Sequence, residues 1–295
     1  MSRKKEKSIA DQYRKRSQGA EIWRNFKKNK GAMLALIILV LIFVIAFTIE
    51  LWLPEKMYVG TNVKERLMHP CKAHPFGTDN KGRDLFWRVL VGSRYSLSIG
   101  FVAVMVALVV GVPLGALAAY YGDKVDFIIM RITDVFASVP SILMATVVVA
   151  VLGNGTFNLM LAVGISSIPA FVKTTRAAVF TVISSEFIEA EKALGKGDLY
   201  IIFVHVLPNC LSTIIVRTTL RVASAIVSAS SLSFLGLGIA PPTPEWGALL
   251  NDGKQYIRGN SYMTLFPGLA IMITVLSFNM VGDGLRDAMD PKLKH

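Results

Sequence analysis

Residues 135–172 contain no charged side chain, and uncharged runs also fill residues 31–49 and 95–122. The hydrocarbon core of a bilayer is about 30 Å thick, so a helix rising 1.5 Å per residue crosses it in about 20 residues. Each run is long enough, and the apolar residues come in blocks rather than at the spacing of a half-buried helix. In lipid every backbone N–H and C=O must be satisfied within the segment, so helices are the expected form. The run 135–172 is divided by Gly153, Asn154 and Gly155 and reads as two spans. Two more are expected at 211–235 and 262–282. The expected fold is all-α and integral to the membrane, with six transmembrane helices. A hydrophobic share of 53% and a mean hydropathy of +0.51 agree with it.

Charge sets the expected orientation. Residues 1–30 hold eleven Lys and Arg against three acids, most of the net charge of +12. Basic residues flank membrane spans on the cytoplasmic side, which makes 1–30 a cytoplasmic tail. The first transmembrane helix is then 31–53 and the first extracytoplasmic loop 54–94. A five-helix core fills 95–282, with 173–208 as its cytoplasmic loop, and 283–295 is a cytoplasmic C-terminal tail. Trp52 and Tyr58 suit an interfacial belt just beyond the first span. Trp23, Phe26, Lys27 and Lys28 suit an amphipathic lead-in lying on anionic lipid headgroups. The sequence pI is about 9.7, but no DNA- or RNA-binding motif accompanies it, and membrane orientation already accounts for the charge.

Several chemistries find no support. Cys71 and Cys210 fall on opposite sides of the expected membrane and cannot bridge. Cys71 with His74 offers only two ligands, too few for a metal site. No G-x-x-x-x-G-K-[ST] loop occurs, and Gly195-Lys196-Gly197 lacks the upstream glycine and the hydroxyl residue that phosphate and magnesium require. The chain is therefore not expected to hydrolyse ATP, to hold a cofactor or metal, or to carry a catalytic residue. The Ser228-Ala229-Ser230-Ser231 stretch suits close helix packing.

The loop 173–208 is more informative. Ser185 is a good N-cap, Glu186 and Glu189 favour the positive end of a helix dipole, and Gly195 and Gly197 end the segment. Phe187, Ala190 and Leu194 share one face, with Glu189, Lys192 and Lys196 elsewhere, an arrangement suited to the groove of a soluble partner. Pro208 marks the first turn of the next helix. Arg131 and Asp134 are spaced for an intrahelical ion pair. Arg217 and Arg221, four apart on the fifth span, sit where a charge facing lipid costs about 2.5 to 3.5 kcal/mol. They are expected to face the bundle or a transport pathway, or to meet acids of a neighbouring subunit.

The run Glu189-Ala190-Glu191-Lys192-Ala193-Leu194-Gly195, followed by Val206-Leu207-Pro208, resembles the segment through which membrane subunits of ABC importers meet their ATPases. Other matches follow in order. They include His74-Pro75-Phe76-Gly77-Thr78-Asp79, Gly82-Arg83-Asp84, Arg88, Ser233-Phe234-Leu235-Gly236-Leu237-Gly238 and Pro244-Glu245-Trp246-Gly247. Together they span about residues 22 to 293 and resemble the second permease subunit of the dipeptide, oligopeptide and nickel ABC importer family. The resemblance implies a type I importer permease fold with a cytoplasmic coupling helix, forming half of a translocation pathway in the cell membrane. It implies ATPase-coupling roles for Phe187, Glu189, Ala190, Lys192, Leu194, Gly195, Leu207 and Pro208. The implied partners are a second homologous permease, two ABC ATPases that hold ATP and Mg, and an extracytoplasmic substrate-binding protein. Peptides are the implied substrate, with nickel, metal chelates or opines as the alternative; a stand-alone secondary transporter or channel is the reading from another class. The stretch Gly282-Asp283-Gly284-Leu285-Arg286-Asp287 is implied to cap the last helix and meet an ATPase. The chain departs from the family at Glu191, where a small residue is usual, and at Ser228 and Ala229, near which many members carry an acid.

Overall fold

The computed structural model describes residues 18–289. Its main helices are α1 (Gln18–Phe26), α2 (Lys30–Trp52), α3 (Leu85–Tyr121), α4 (Asp123–Ser138), α5 (Ser141–Leu152), α6 (Thr156–Ile183), α7 (Glu186–Ala193), α8 (Asp198–Phe234), α9 (Trp246–Gly253) and α10 (Tyr262–Met289). Five of these, α2, α3, α6, α8 and α10, are long and apolar enough to cross a membrane. A sixth passage needs α4 and α5 together, and they are bent by 88°. The break falls before Pro140, whose ring forces Val139 out of helical geometry, to φ −89° and ψ 128°.

The pairing of α3 with α6 shows what that bent pair does. Gly164 lies against Ala103 and Val106, Gly111 against Ile168 and Phe171, and Gly115 against Val172 and Thr175. Residue numbers rise together along the contact, so the two spans are parallel. Parallel neighbours require the intervening chain to return across the whole layer, and α4–α5 makes that crossing. By contrast α8 runs antiparallel to α3, with Gly100 against Val222 and Ile226, and α10 antiparallel to α2, with Gly31 beside Met280 and Gly284 against Ala32. One end of the bundle therefore gathers Lys30, Tyr121, Ile183, Asp198 and Met289. The opposite end gathers the two long loops.

The helices outrun the uncharged windows because charges at their ends are paired or capped. α3 begins at Leu85 rather than 95, capped by Asp84, whose carboxylate accepts from the Phe86 N–H at 2.9 Å. Arg88 in its first turn is fully buried and donates to the carbonyls of Tyr58 at 3.0 Å and Pro242 at 3.2 Å. Arg94 pairs with Glu50 of α2. α10 continues past Gly282 to Met289, so the stretch expected to follow and cap the last helix is itself helix. The expected Arg131–Asp134 pair does not form. Asp134 takes Lys173 of α6 at 2.8 Å, Arg131 lies over the Phe127 ring, and Asp126 pairs with Arg176, so α4 is tied to α6 twice. Phe26 is buried beside Gly284, which docks the expected headgroup-facing lead-in onto α10. Residues 1–17 and 290–295 of the expected tails lie outside the described residues.

At the opposite end, residues 60–84 fold over the bundle as a lid. Arg83 holds Asp79 at 2.5 Å and Asp252 at 3.4 Å, and the Tyr262 hydroxyl donates to the Thr78 carbonyl at 3.0 Å. Gly82 adopts φ +72°, and a Cβ there would lie 1.8 Å from the Asn62 carbonyl oxygen, so no other residue fits. Tyr58 is buried against Ile49 of α2 and Val91 of α3 rather than in an interfacial belt, whereas Trp52 is exposed. Glu245 anchors the second loop. Its buried carboxylate accepts from Ser96, from Ser230 and from the N–H groups of Gly247 and Ala248 at the start of α9, which satisfies the charge without a cation.

Candidate coupling site

Between α6 and α8 the chain makes a separate short helix, α7, at the end of the bundle where the basic tail enters. Ser185 stands at its N-cap with extended backbone, φ −80° and ψ 143°. Its hydroxyl donates to the Val182 carbonyl at 2.5 Å and so does not cap the helix as expected. The other end matches the expected turn. Gly195 takes φ +73°, its N–H bonds the Lys192 carbonyl at 3.0 Å and the Lys196 N–H bonds that of Glu191 at 3.3 Å, a paired closure that needs a left-handed residue between. Gly197 has an ordinary φ of −66° and starts α8 instead of ending α7.

Burial divides α7 into two sides. Ile188 is 0% exposed and joins Ile201, Ile202 and Val206 in the core. Phe187 and Leu194 are 43% and 73% exposed, and Glu189 and Ala190 are exposed beside them. The structure thus brings together Phe187, Glu189, Ala190, Leu194 and Gly195 on one outward surface. Lys192 is exposed as well, with its ammonium over the Tyr120 ring of α3 at 5.0 Å. Leu207 turns inward, and Pro208 opens on a different groove with Ile22, Asn25 and Met289.

The link from this loop into the membrane is a wide turn. Residues Ile201–Val206 form a π-helix, and the Leu207 N–H reaches back to the Ile202 carbonyl. Pro208 therefore sits inside a continuous helix that begins at Asp198, not at a fresh entry point. A proline ring collides with the carbonyl four residues earlier in a regular α-helix, and the wider turn gives it room. His205 within this turn meets Tyr200 edge-on and sits 3.6 Å from Glu191 of α7, while the Tyr120 hydroxyl donates to Asp198 at 2.8 Å. Ile188, Tyr120, Asp198 and His205 are thus parts of the site that motif spacing did not single out. Their available signal was the second apolar set, Ile188 with Ile201, Ile202 and Val206, which marks the side of the loop facing its own bundle.

Comparison with known proteins agrees with this architecture. Residues 111–295 match the family described as binding-protein-dependent transport system inner membrane component, and residues 17–70 match the N-terminal TM domain of oligopeptide transport permease C. The dipeptide transport system permease protein DppC of Alkalihalophilus pseudofirmus is 46% identical over 96% of this chain and 93% of its own. The glutathione transport system permease protein GsiD of Escherichia coli O157:H7 is 44% identical over 93% and 90%. The di/tripeptide permease DppC of Pseudomonas aeruginosa is 41% identical over 93% and 92%. Among solved structures, an inward-facing conformation of the MetNI methionine ABC transporter superposes with a TM-score of 0.59 at 19% identity, covering 70% of this chain and 98% of the other. With that fold and those relatives, the chain belongs to the family of binding-protein-dependent transport system inner membrane components and is a permease subunit of an ABC importer.

Proposed function

We propose that this permease forms half of an import pathway for di- or oligopeptides and that α7 docks on a partner ATPase at the cytoplasmic face. The observation that carries the proposal is the outward apolar face of Phe187 and Leu194, held rigidly by the buried Ile188 behind it. An exposed apolar face on a short helix, backed by a fixed core contact, suits insertion into a partner groove. Peptide as substrate rests on the relatives named for dipeptide, tripeptide and glutathione transport. The cytoplasmic placement rests on charge, since Lys27, Lys28, Lys30, Lys124, Lys192 and Lys196 cluster at the same end as α7. Both termini then lie in the cytoplasm. ATP and Mg belong to two partner ATPases, a second permease completes the pathway, and a binding protein delivers substrate to the lid end. Closure of the ATPases would move α7, and the π-turn at Ile201–Val206 would pass that motion into α8 as one rigid body.

Purification of the tagged chain should bring down two ATPases and a second permease, and the reconstituted complex should import dipeptide only with ATP. A chain that transports alone overturns the assignment. Orientation has its own test. In intact cells or spheroplasts an impermeant thiol reagent should label Cys71, which is exposed. Cys210 is only 2% exposed and stays unlabelled on either side, so a Lys196→Cys variant carries the comparison. It should label only after the membrane is opened, and labelling from outside would reverse the topology.

A further inference from the structure

Four hydroxyls along α8 donate to a backbone carbonyl one turn earlier: Thr218 to Ile214, Thr219 to Ile215, Ser224 to Leu220 and Ser231 to Val227. Ser212 and Thr213 make no such bond. Both face a cavity of about 420 Å³ between α8 and the last turns of α10, lined also by Arg217, Arg286, Val216, Leu220 and Met289. Arg221 stands one turn further along α8. Among the described residues no carboxylate lies within 4.0 Å of Arg217, Arg221 or Arg286, although Arg83, Arg94 and Arg176 all have acidic partners. Arg217 was expected to face the bundle, a pathway or acids of a neighbouring subunit; within this chain it is exposed, and what it faces is this open cavity.

Two guanidinium groups with no acidic partner among the described residues, and two hydroxyls beside them, make a site for an anionic oxygen group, because guanidinium forks match carboxylate oxygens two at a time. The position narrows the source of that group. The cavity lies on the α7 end of α8, and further along the same helix Val227, Ser231 and Phe234 line an apolar cavity nearer the lid end with Ile142 and Ile271. A helix that is apolar toward the lid end and basic toward the α7 end offers a peptide moving along it first an apolar surface and then a carboxylate site.

We propose that Arg217, Arg286, Ser212 and Thr213 form a subsite for the C-terminal carboxylate of the transported peptide at the cytoplasmic half of the pathway. The proposal rests on the peptide-import reading above. Arg221, half-buried one turn deeper, extends the positive potential toward the middle of the layer, so a carboxylate moving along α8 meets Arg221 before the site.

The test uses the assembled complex in liposomes without nucleotide, carrying Thr213→Cys in a Cys71→Ser background, and follows the rate of thiol labelling at position 213. Millimolar dialanine should slow labelling about threefold or more, whereas dialanine amide, which lacks the carboxylate, should not. Adding Arg217→Gln and Arg286→Gln should remove the protection, and Arg217→Lys should retain part of it, because a lysine keeps the charge but loses the fork. Equal protection by acid and amide, or protection that survives both Gln changes, would overturn the subsite. If phosphatidylglycerol in the liposomes slows labelling and dialanine adds nothing, the cavity binds a lipid phosphate and the proposal also falls. Wild-type dialanine uptake measured alongside separates the two readings: its absence defeats peptide import itself, while its presence without protection defeats only the subsite.

Discussion

A permease carrying Phe187→Asp and Leu194→Asp inserts into the membrane at normal abundance and stops importing. Both side chains are exposed, so the folded bundle does not depend on them, and Ile188 still holds α7 in place. Burying a carboxylate in an apolar partner groove removes the apolar contact and adds an unpaired charge, and anchor residues of this kind are each worth about 2 to 4 kcal/mol. Two such losses predict that ATPase binding, and with it uptake, falls by at least about a hundredfold. The measurement is uptake per copy of permease, with the amount of co-purified ATPase beside it. Full uptake by the double variant would remove α7 from the coupling role. A Gly195→Val variant gives a milder comparison. Nothing lies within 4 Å of a Cβ at that position, so its effect comes from φ +73° alone, about 1 to 2 kcal/mol of strain at the turn.

Gly115→Leu acts on the fold instead. A Cβ at Gly115 would stand 2.5 Å from the Val172 carbonyl oxygen and 3.1 Å from the Arg176 nitrogen, both backbone atoms of α6 that cannot swing aside. Gly111, one turn earlier, meets the Cβ of Phe171 at 2.6 Å in the same way. The pair has the G-x-x-x-G spacing that lets two membrane helices touch along their backbones. Forcing α3 and α6 apart loosens the broadest helix contact in the molecule at a cost on the order of 3 kcal/mol. The expected result is a lower thermal midpoint in detergent and loss of the assembled complex. Gly153→Leu, placed where nothing lies within 4 Å but φ is +84°, should be much milder. Equal stability of the Gly115 variant and wild type would show that the helices do not meet there.

Much of the site was readable before any coordinates. The turn at Gly195 was legible because a left-handed residue is a local requirement that glycine meets at no steric cost. The outward Phe187, Ala190 and Leu194 followed from helical periodicity. The π-turn was not legible, because Pro208 is equally at home as the first residue of a helix, and only the burial of Ile201, Ile202 and Val206 in the core fixes the chain as helix before it. The ring contact of Lys192 was not legible for a similar reason. Its position on α7 is a matter of spacing, but its contact with Tyr120 depends on where α3 ends.

The sequence by itself determined that this is a membrane protein of long helices, because transfer into lipid is settled residue by residue within each uncharged run. It also determined the short helix between two spans and the glycine that closes it, since both arise from neighbours a few positions apart. Only the tertiary structure decided that the crossing before Gly153 is a pair, α4–α5, bent by 88° and joining the parallel α3 and α6. It alone decided that Asp134 pairs with Lys173 rather than Arg131, and that Glu245 is held by Ser96, Ser230 and two backbone N–H groups. These outcomes join residues far apart in the chain, and a charge leaving water goes to whichever partner the packed helices bring within reach.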